Sequence, residues 1–411
     1  MTNSAAIVRR GEKRVKYFLY ANIVKIGCQA LHLVLQAAVM MKDKIKIIIF
    51  AIWAVFLSET ATVQAAVIAV SAPKSGDGAM FGEQLADGAR IAVEEINDNG
   101  GLLGEKIEFI AVDDASSDLA VKSEEQLLTS SGAMGRLDLI VGPWGSDYFE
   151  LISDVYAKNG ITHMVVQPLD EQRFGYKATG MFKIGGLVAA QAESVLAVYK
   201  ERWSDKNIAV AYDKNNVATY ETAAALQGLM QANGIGKRIS LYDFADYAKI
   251  KKMAKEIAAK SKVVYILGNK NQVAELAQKL QDRNEEIVLI VDEYMATSYF
   301  FKEMGNFAEG VYVLKFNDQK ANSAFTKELV ELRIKGREPR GLGIMSYTAV
   351  MLWRDMAEAA KSFDVGKIAK IANERNWNTP WGMVGFKDGA VVKGGGWNMY
   401  LLENGEYTQV N

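Results

Sequence analysis

The chain has 411 residues, half of them apolar, which is enough to bury two cores of ordinary domain size. With 48 basic against 49 acidic side chains the formal charge is -1, so no whole-chain field exists to hold nucleic acid or an anionic membrane. One cysteine, Cys28, and two histidines leave little material for disulfide, thiolate or His-centred metal chemistry.

In chain order the N-terminus comes first. From Met41 the sequence reads MKDKIKIIIFAIWAVFLSETATVQAAVIAV: lysines, an unbroken apolar run from Ile47 to Leu57, then Val63-Gln64-Ala65. That order is the pattern of a secretory signal with a small-x-small cleavage site, and the run is short for a membrane span. The expectation is a signal peptide over residues 41–65, cleaved after Ala65 or one residue later. In residues 1–40, Asn22, Lys25, Gln29, His32 and Gln36 interrupt any apolar span, so that stretch is expected to be an upstream extension ahead of a true start at Met40 or Met41. No cysteine follows the cleavage site, so no lipid anchor is expected there, and the exported protein is expected in a periplasm.

Beyond Ala65, short β-branched runs alternate with longer amphipathic ones, the pattern of βα units on a parallel sheet. VIAVSA reads as a strand. In GEQLADGARIAVEEINDNGG, Leu85, Ala89, Ala92 and Ile96 share one helical stripe and Asn99-Gly100-Gly101 stops the helix. Strand KIEFIAV leads to Asp113-Asp114, a helix is expected from about Asp118, strand DLIVG runs into the turn of VGPWGSDYFE, and ITHMVV from Ile161 is a further strand. A second series starts near Ala190. It comprises strand NIAVAYD, a helix to Asn233-Gly234, strand RISLYDF, a helix through Ala245 to Lys260, strand KVVYILG, a helix from Gln272 to Asp282, and strand EIVLIVD. GVYVLKF begins the return, and SYTAVMLWRDMAEAAK is a helix with a broad apolar face. After Trp381, Asp388-Gly389 and Asn404-Gly405 mark turns between short antiparallel strands.

The motifs of catalysis are missing. His163 sits in the apolar strand THMVV, where a satisfied core histidine fits better than a general base. There is no GxxxxGK, no GxGxxG after a strand and no metal-ligand spacing, and a strand-end turn with a helix cap accounts for Asp113-Asp114. No enzymatic activity and no cofactor or metal is expected. A repressor would need a basic helix-turn-helix ahead of the first strand, where an export-type segment stands instead.

The run SGDGAMFGEQLADGARIAVEEINDNGGLLGEKIEFIAVDDASSD resembles the opening of the leucine/isoleucine/valine-binding proteins, type I periplasmic binding proteins that feed ABC importers. Gly76, Gly82, Asn97, Gly100-Gly101, Gly104 and Asp113-Asp114 fall where that family puts them, and the similarity continues through VYAKNGI, AYDKNN, VVYILG, FAEGVYV, SYTAV and GFKDG. The resemblance implies an α/β fold of two doubly wound parallel-sheet lobes joined by three crossovers, with the ligand cleft between them. Lobe 1 is expected over 67–188 with 316–383, and lobe 2 over 189–315 with 384–411. Open α/β sheets hold ligands beyond the carboxyl ends of their strands, against helix N-termini, which agrees with such a cleft.

By the same resemblance, the turn WGSDY holds an amino-acid carboxylate through the Ser146 hydroxyl and the backbone at Asp147 and Tyr148. A helix start suits an anion because its first N–H groups lack partners; Ser146 equally fits a plain N-cap. Phe81 stands at the aromatic wall and Glu293 at the partner of the ligand ammonium, although Phe81 also fits packing and Glu293 a solvated loop carboxylate. Leu169 belongs to Gln167-Pro168-Leu169, which replaces the family's Gly-Ala-Thr turn, and Pro168 offers no N–H there. Asn269 and Lys270 occupy the place of a cleft tyrosine, with Lys270 a second anion contact or a surface charge, and Val217 stands where another tyrosine is usual. Ser116 and Gly145 take the places of a cysteine pair found in some members. The implied role is hinge closure on a small, branched-chain or related amino acid and delivery to ABC permease transmembrane subunits. The alternatives are a small amide or carboxylate that is not an amino acid, or a soluble ligand-sensing partner of a membrane receptor.

Overall fold

The computed structural model describes residues 65–114, 136–144, 149–167, 169, 171–244, 247–284, 286–292, 304–316, 323–337, 339, 342–393 and 396–410. The signal and upstream segments, the helix expected from Asp118, and Ser146, Asp147, Tyr148 and Glu293 lie outside these residues.

The chain starts with β1 (Ala66–Ala72), α1 (Ala79–Asp98), β2 (Ile107–Asp113), β3 (Arg136–Val141), α2 (Phe149–Lys158), β4 (Thr162–Val165), α3 (Glu171–Gly175) and β5 (Met181–Lys183). All seven residues of β1 are buried, as a strand covered by helices on both faces requires. On α1 the expected stripe is the buried one, with Leu85, Ala89, Ala92 and Ile96 at 2% exposure or less. After β5 come α4 (Val188–Arg202), β6 (Ile208–Tyr212), α5 (Val217–Ala232), β7 (Ile239–Asp243), α6 (Ile250–Lys260), β8 (Val263–Leu267), α7 (Lys270–Gln281), β9 (Val288–Asp292) and β10 (Tyr312–Phe316). The return carries α8 (Ser323–Ile334), α9 (Gly343–Ala360), α10 (Val365–Glu374) and β11 (Asn376–Thr379), then β12 (Gly382–Lys387), β13 (Ala390–Lys393), β14 (Trp397–Glu403) and β15 (Glu406–Gln409).

Two sheets result. The first runs β11-β12-β13-β5-β4-β3-β1-β2 and the second β15-β14-β10-β9-β8-β6-β7. Within them β2-β1-β3-β4-β5 and β7-β6-β8-β9-β10 are parallel and have the same order, so each lobe reverses its winding once, at β1/β3 and at β6/β8. Those are the places where a doubly wound sheet opens a crevice at its carboxyl edge. In lobe 1, α9 crosses α1 at backbone contact: a Cβ on Gly88 would lie 1.8 Å from the Gly343 carbonyl oxygen. No helix among the described residues is long and apolar enough to cross a membrane.

The lobes are joined after β5, after β10 and after β13. The third crossing differs from the boundary expected between 383 and 384, which would cut through β12. Strands β12 and β13 stay with lobe 1 because Ala390 pairs with Lys183 of β5 and the Lys183 N–H donates to the Gly389 carbonyl at 2.7 Å. The chain therefore changes lobes between Lys393 and Trp397. An aromatic cluster ties the crossings together: the Phe316 ring lies 6.0 Å from Trp381 and 5.1 Å from Trp397. It also covers Gly186, where φ is +84° and a Cβ would come within 2.6 Å of the ring.

Candidate functional site

At the carboxyl edge of lobe 1, β1 ends in Pro73-Lys74 and α1 starts directly over it. Gly82 allows this approach, since a Cβ there would lie 1.9 Å from the Pro73 carbonyl oxygen. The neighbouring Phe81 is turned inward, 6% exposed, and its ring stands 5.8 Å from that of Trp144. Trp144 is half-buried and closes the turn that follows β3. Two aromatic rings therefore meet at the β1/β3 switch point; the sequence singled out Phe81 and did not single out Trp144.

The turn from Gly142 to Trp144 is held from several sides. Gly142 has φ +112° and would drive a Cβ to 2.1 Å from the Ser71 carbonyl oxygen. Its N–H donates to the Met164 carbonyl at 3.0 Å, and its carbonyl accepts from Nε2 of His163. The buried Asp114 carboxylate accepts the Trp144 N–H at 3.0 Å, and Asp113 accepts the Lys74 N–H at 3.0 Å. The paired aspartates are thus turn-fixing groups, as their place at the end of a strand suggested. Because a carbonyl can only accept, His163 carries its proton on Nε2, leaving Nδ1 to accept from the Ser153 hydroxyl of α2 at 3.2 Å. Burial pushes its pKa down to about 4, so the ring is neutral and both nitrogens are used. It is a core histidine that ties β3, β4 and α2 together, and it offers no free base.

At the end of β4, Gln167 is 4% exposed and, among the described residues, neither polar atom of its side-chain amide has a hydrogen-bond partner. Leu169 is 1% exposed and packs with Val165 and Met181, so its side chain belongs to the core of the crossing and not to an open wall. Its N–H donates to Gly186 and its carbonyl accepts from Val188, which fixes the first crossing. Beyond it, α3 is anchored by the buried Lys183, whose ammonium donates to the carbonyls of Phe174 (2.6 Å) and Tyr176. Burial pushes Lys183 down to about 8, helped by the charge of Lys177.

Lobe 2 presents its own carboxyl edge. Asn216 caps α5 by accepting the Thr219 N–H at 3.2 Å, and the half-exposed Tyr220 ring lies 6.2 Å from Tyr212 at the end of β6. Lys270 is the first residue of α7. The helix start there is closed by its own capping box, in which Asn269 accepts the N–H groups of Asn271 and Gln272 while Gln272 accepts that of Asn269. Two of the donors that an anion could have used are therefore occupied. Gln272 also donates to Asp213 at 3.2 Å. Position 293 follows β9, whose last residue, the buried Asp292, accepts from the Tyr265 hydroxyl at 2.5 Å and from Gln191 at 3.0 Å.

The two edges meet. Arg173 of α3, in lobe 1, and Glu221 of α5, in lobe 2, form an ion pair at 2.8 Å, so the carboxyl ends of both sheets face one cleft. Neither residue stood out in the sequence, because a charged pair 48 positions apart carries no local signal. Among the described residues no group of three or more His, Cys, Asp or Glu is arranged to hold a metal ion.

The profile of the family described as periplasmic binding protein matches residues 66–403. This chain belongs to that family. Among the binding protein's relatives is the Leu/Ile/Val-binding protein homolog 1 of Brucella abortus (strain 2308), 26% identical over 344 residues that cover 82% of this chain and 90% of that protein. Among solved structures, the branched-chain amino acid transporter substrate binding protein LivJ of Streptococcus pneumoniae, in complex with isoleucine, aligns with TM-score 0.68 at 19% identity, covering 84% of this chain and 99% of that one. An ABC transporter solute binding protein of R. palustris in complex with benzoate aligns with TM-score 0.70 at 18% identity, covering 84% and 96%. Both structural likenesses bear on the fold.

Proposed function

We propose that this periplasmic binding protein is the substrate-binding component of an ABC importer. It would close its two lobes on a small, branched-chain or related amino acid and deliver the ligand to permease transmembrane subunits. The observation that carries this reading is the apposition of two switch-point edges, β1/β3 and β6/β8, across a cleft bridged by Arg173 and Glu221. Such a cleft positions helix N-termini and strand-end turns around a small polar solute and makes no bonds. In this reading Ser146 and the N–H groups at Asp147 and Tyr148 take the carboxylate, Glu293 takes the ammonium, and the Phe81–Trp144 pair lines the apolar part. The signal pattern of residues 41–65 supports export to the periplasm, and N-terminal sequencing of the exported protein should begin at Ala66 or within a residue of it.

A second ligand class, an aromatic carboxylate, has support from two observations. Two rings converge at the switch point, and Gln167-Pro168-Leu169 provides neither the N–H nor the hydroxyl of a Gly-Ala-Thr turn. The benzoate complex of the R. palustris protein is in keeping with it. Calorimetric titration with leucine, valine, isoleucine and benzoate, on the wild type and on Glu293→Gln, separates the two. An amino-acid site binds a branched-chain ligand and loses roughly 1.5 to 3 kcal/mol in the variant. An aromatic-acid site binds benzoate and is unaffected by the change. Binding of neither class would overturn both readings.

A further inference from the structure

We propose that Arg173 and Glu221 form a clasp across the mouth of the cleft, an ion pair that raises the population of the closed conformation before any ligand arrives. The proposal rests on the hinge reading above.

Both partners are held by their own lobes. Arg173 lies on the five-residue helix α3, and the buried ammonium of Lys183 grips the carbonyl of Phe174 in its last turn and that of Tyr176 just after it, with the Phe174 ring centred 5.5 Å from that charge. Glu221 lies in the second turn of α5, whose N-terminus is capped by Asn216. The guanidinium Nη1 and carboxylate Oε1 meet at 2.8 Å with side-chain exposures of 21% and 19%. Such shielding spares the pair part of the screening that makes freely exposed ion pairs nearly worthless.

The consequence follows from placement. One partner sits beyond the carboxyl end of β4 and the other just beyond that of β6, so the contact exists only while the two edges approach each other. Rotation about the crossings at Gly186, Phe316 and Trp397 would part them. Energy from this pair therefore belongs to the closed state alone and shifts the open-to-closed equilibrium. Because apparent affinity scales with the population of the competent state, the clasp tunes affinity without touching the ligand.

The residues after the expected cleavage site contain no cysteine, so one spin label per lobe can be introduced cleanly, at Glu83 on α1 and Lys251 on α6, both exposed. Inter-label distances would be recorded by pulsed electron paramagnetic resonance without ligand and with leucine or benzoate, for the wild type, Glu221→Gln and the exchanged pair Arg173→Glu with Glu221→Arg. At low ionic strength Glu221→Gln should move the open-to-closed ratio toward open by roughly three- to fivefold. The exchanged pair should recover closure, and added salt should open the wild type but not Glu221→Gln. If the distances respond to leucine or benzoate while Glu221→Gln matches the wild type at low salt, or if the exchanged pair is as open as the single variant, the clasp is wrong and the hinge stands. If one distance persists through every variant, salt and ligand, the hinge reading falls with it.

Discussion

At the residue scale, His163 sets a pH dependence whose sign can be worked out. Its folded pKa is pushed below the ordinary 6.5 to about 4, so between these values the unfolded chain takes up a proton that the folded one refuses. Its contribution is present above about 6.5 and is lost as pH falls through about 4, by up to about 3 kcal/mol. Asp138 has the opposite slope: burial outweighs Arg136 and pushes it up to about 6, so stability falls as pH rises through that value. A wild-type melting curve would blend the two. The gap in thermal midpoint between wild type and His163→Gln isolates the first, and it should narrow steadily as pH drops from 6.5 to 4. A gap independent of pH would mean that the ring is already charged in the folded protein. His163 could be read from the sequence because an apolar strand surrounds it. Trp144 could not be singled out as the partner of Phe81, because their contact depends on how the first turn of α1 meets the turn after β3, and Gln167 gave no sign that its amide would be buried unmatched among the described residues.

Among the elements, the entry into α1 has the least tolerance. Gly82→Ala should force the helix away from Pro73, since no rotamer relieves a Cβ placed 1.9 Å from a backbone oxygen. The expected loss is about 1 to 3 kcal/mol in chemical denaturation. Because Phe81 is the adjacent residue, ligand affinity should fall in the same variant; unchanged stability would show that the first turn of α1 is free to move. Strands with β-branched runs, the stripe of α1 and the two closing hairpins were legible locally. Asp388-Gly389 and Asn404-Gly405 each have positive φ at both residues, as two-residue hairpin turns require. What could not be read was which sheet those hairpins join. That depends on Gly389 reaching Lys183, and β5, at three residues, is too short to show a period. The site is legible to the extent that it follows β1, β3, β6 and β8, while the pairing of side chains across the cleft depends on lobe contact alone.

For the whole molecule, the equal strand order of the two parallel cores gives each lobe one crevice, and the crossings at Gly186, Phe316 and between Lys393 and Trp397 set those crevices face to face. A ligand held by both lobes binds the closed state and not the unfolded chain, so it must stabilise the fold. Its effect is about 2.7 kcal/mol at a hundred times its Kd. The most direct test is thermal unfolding of the protein from Ala66 onward against a panel of amino acids, small amides and aliphatic and aromatic carboxylates. The account predicts a rise in midpoint of a few degrees with members of one of these classes and none with the others. No shift with any member, at millimolar concentration, would contradict the claim that this cleft is a small-solute binding site.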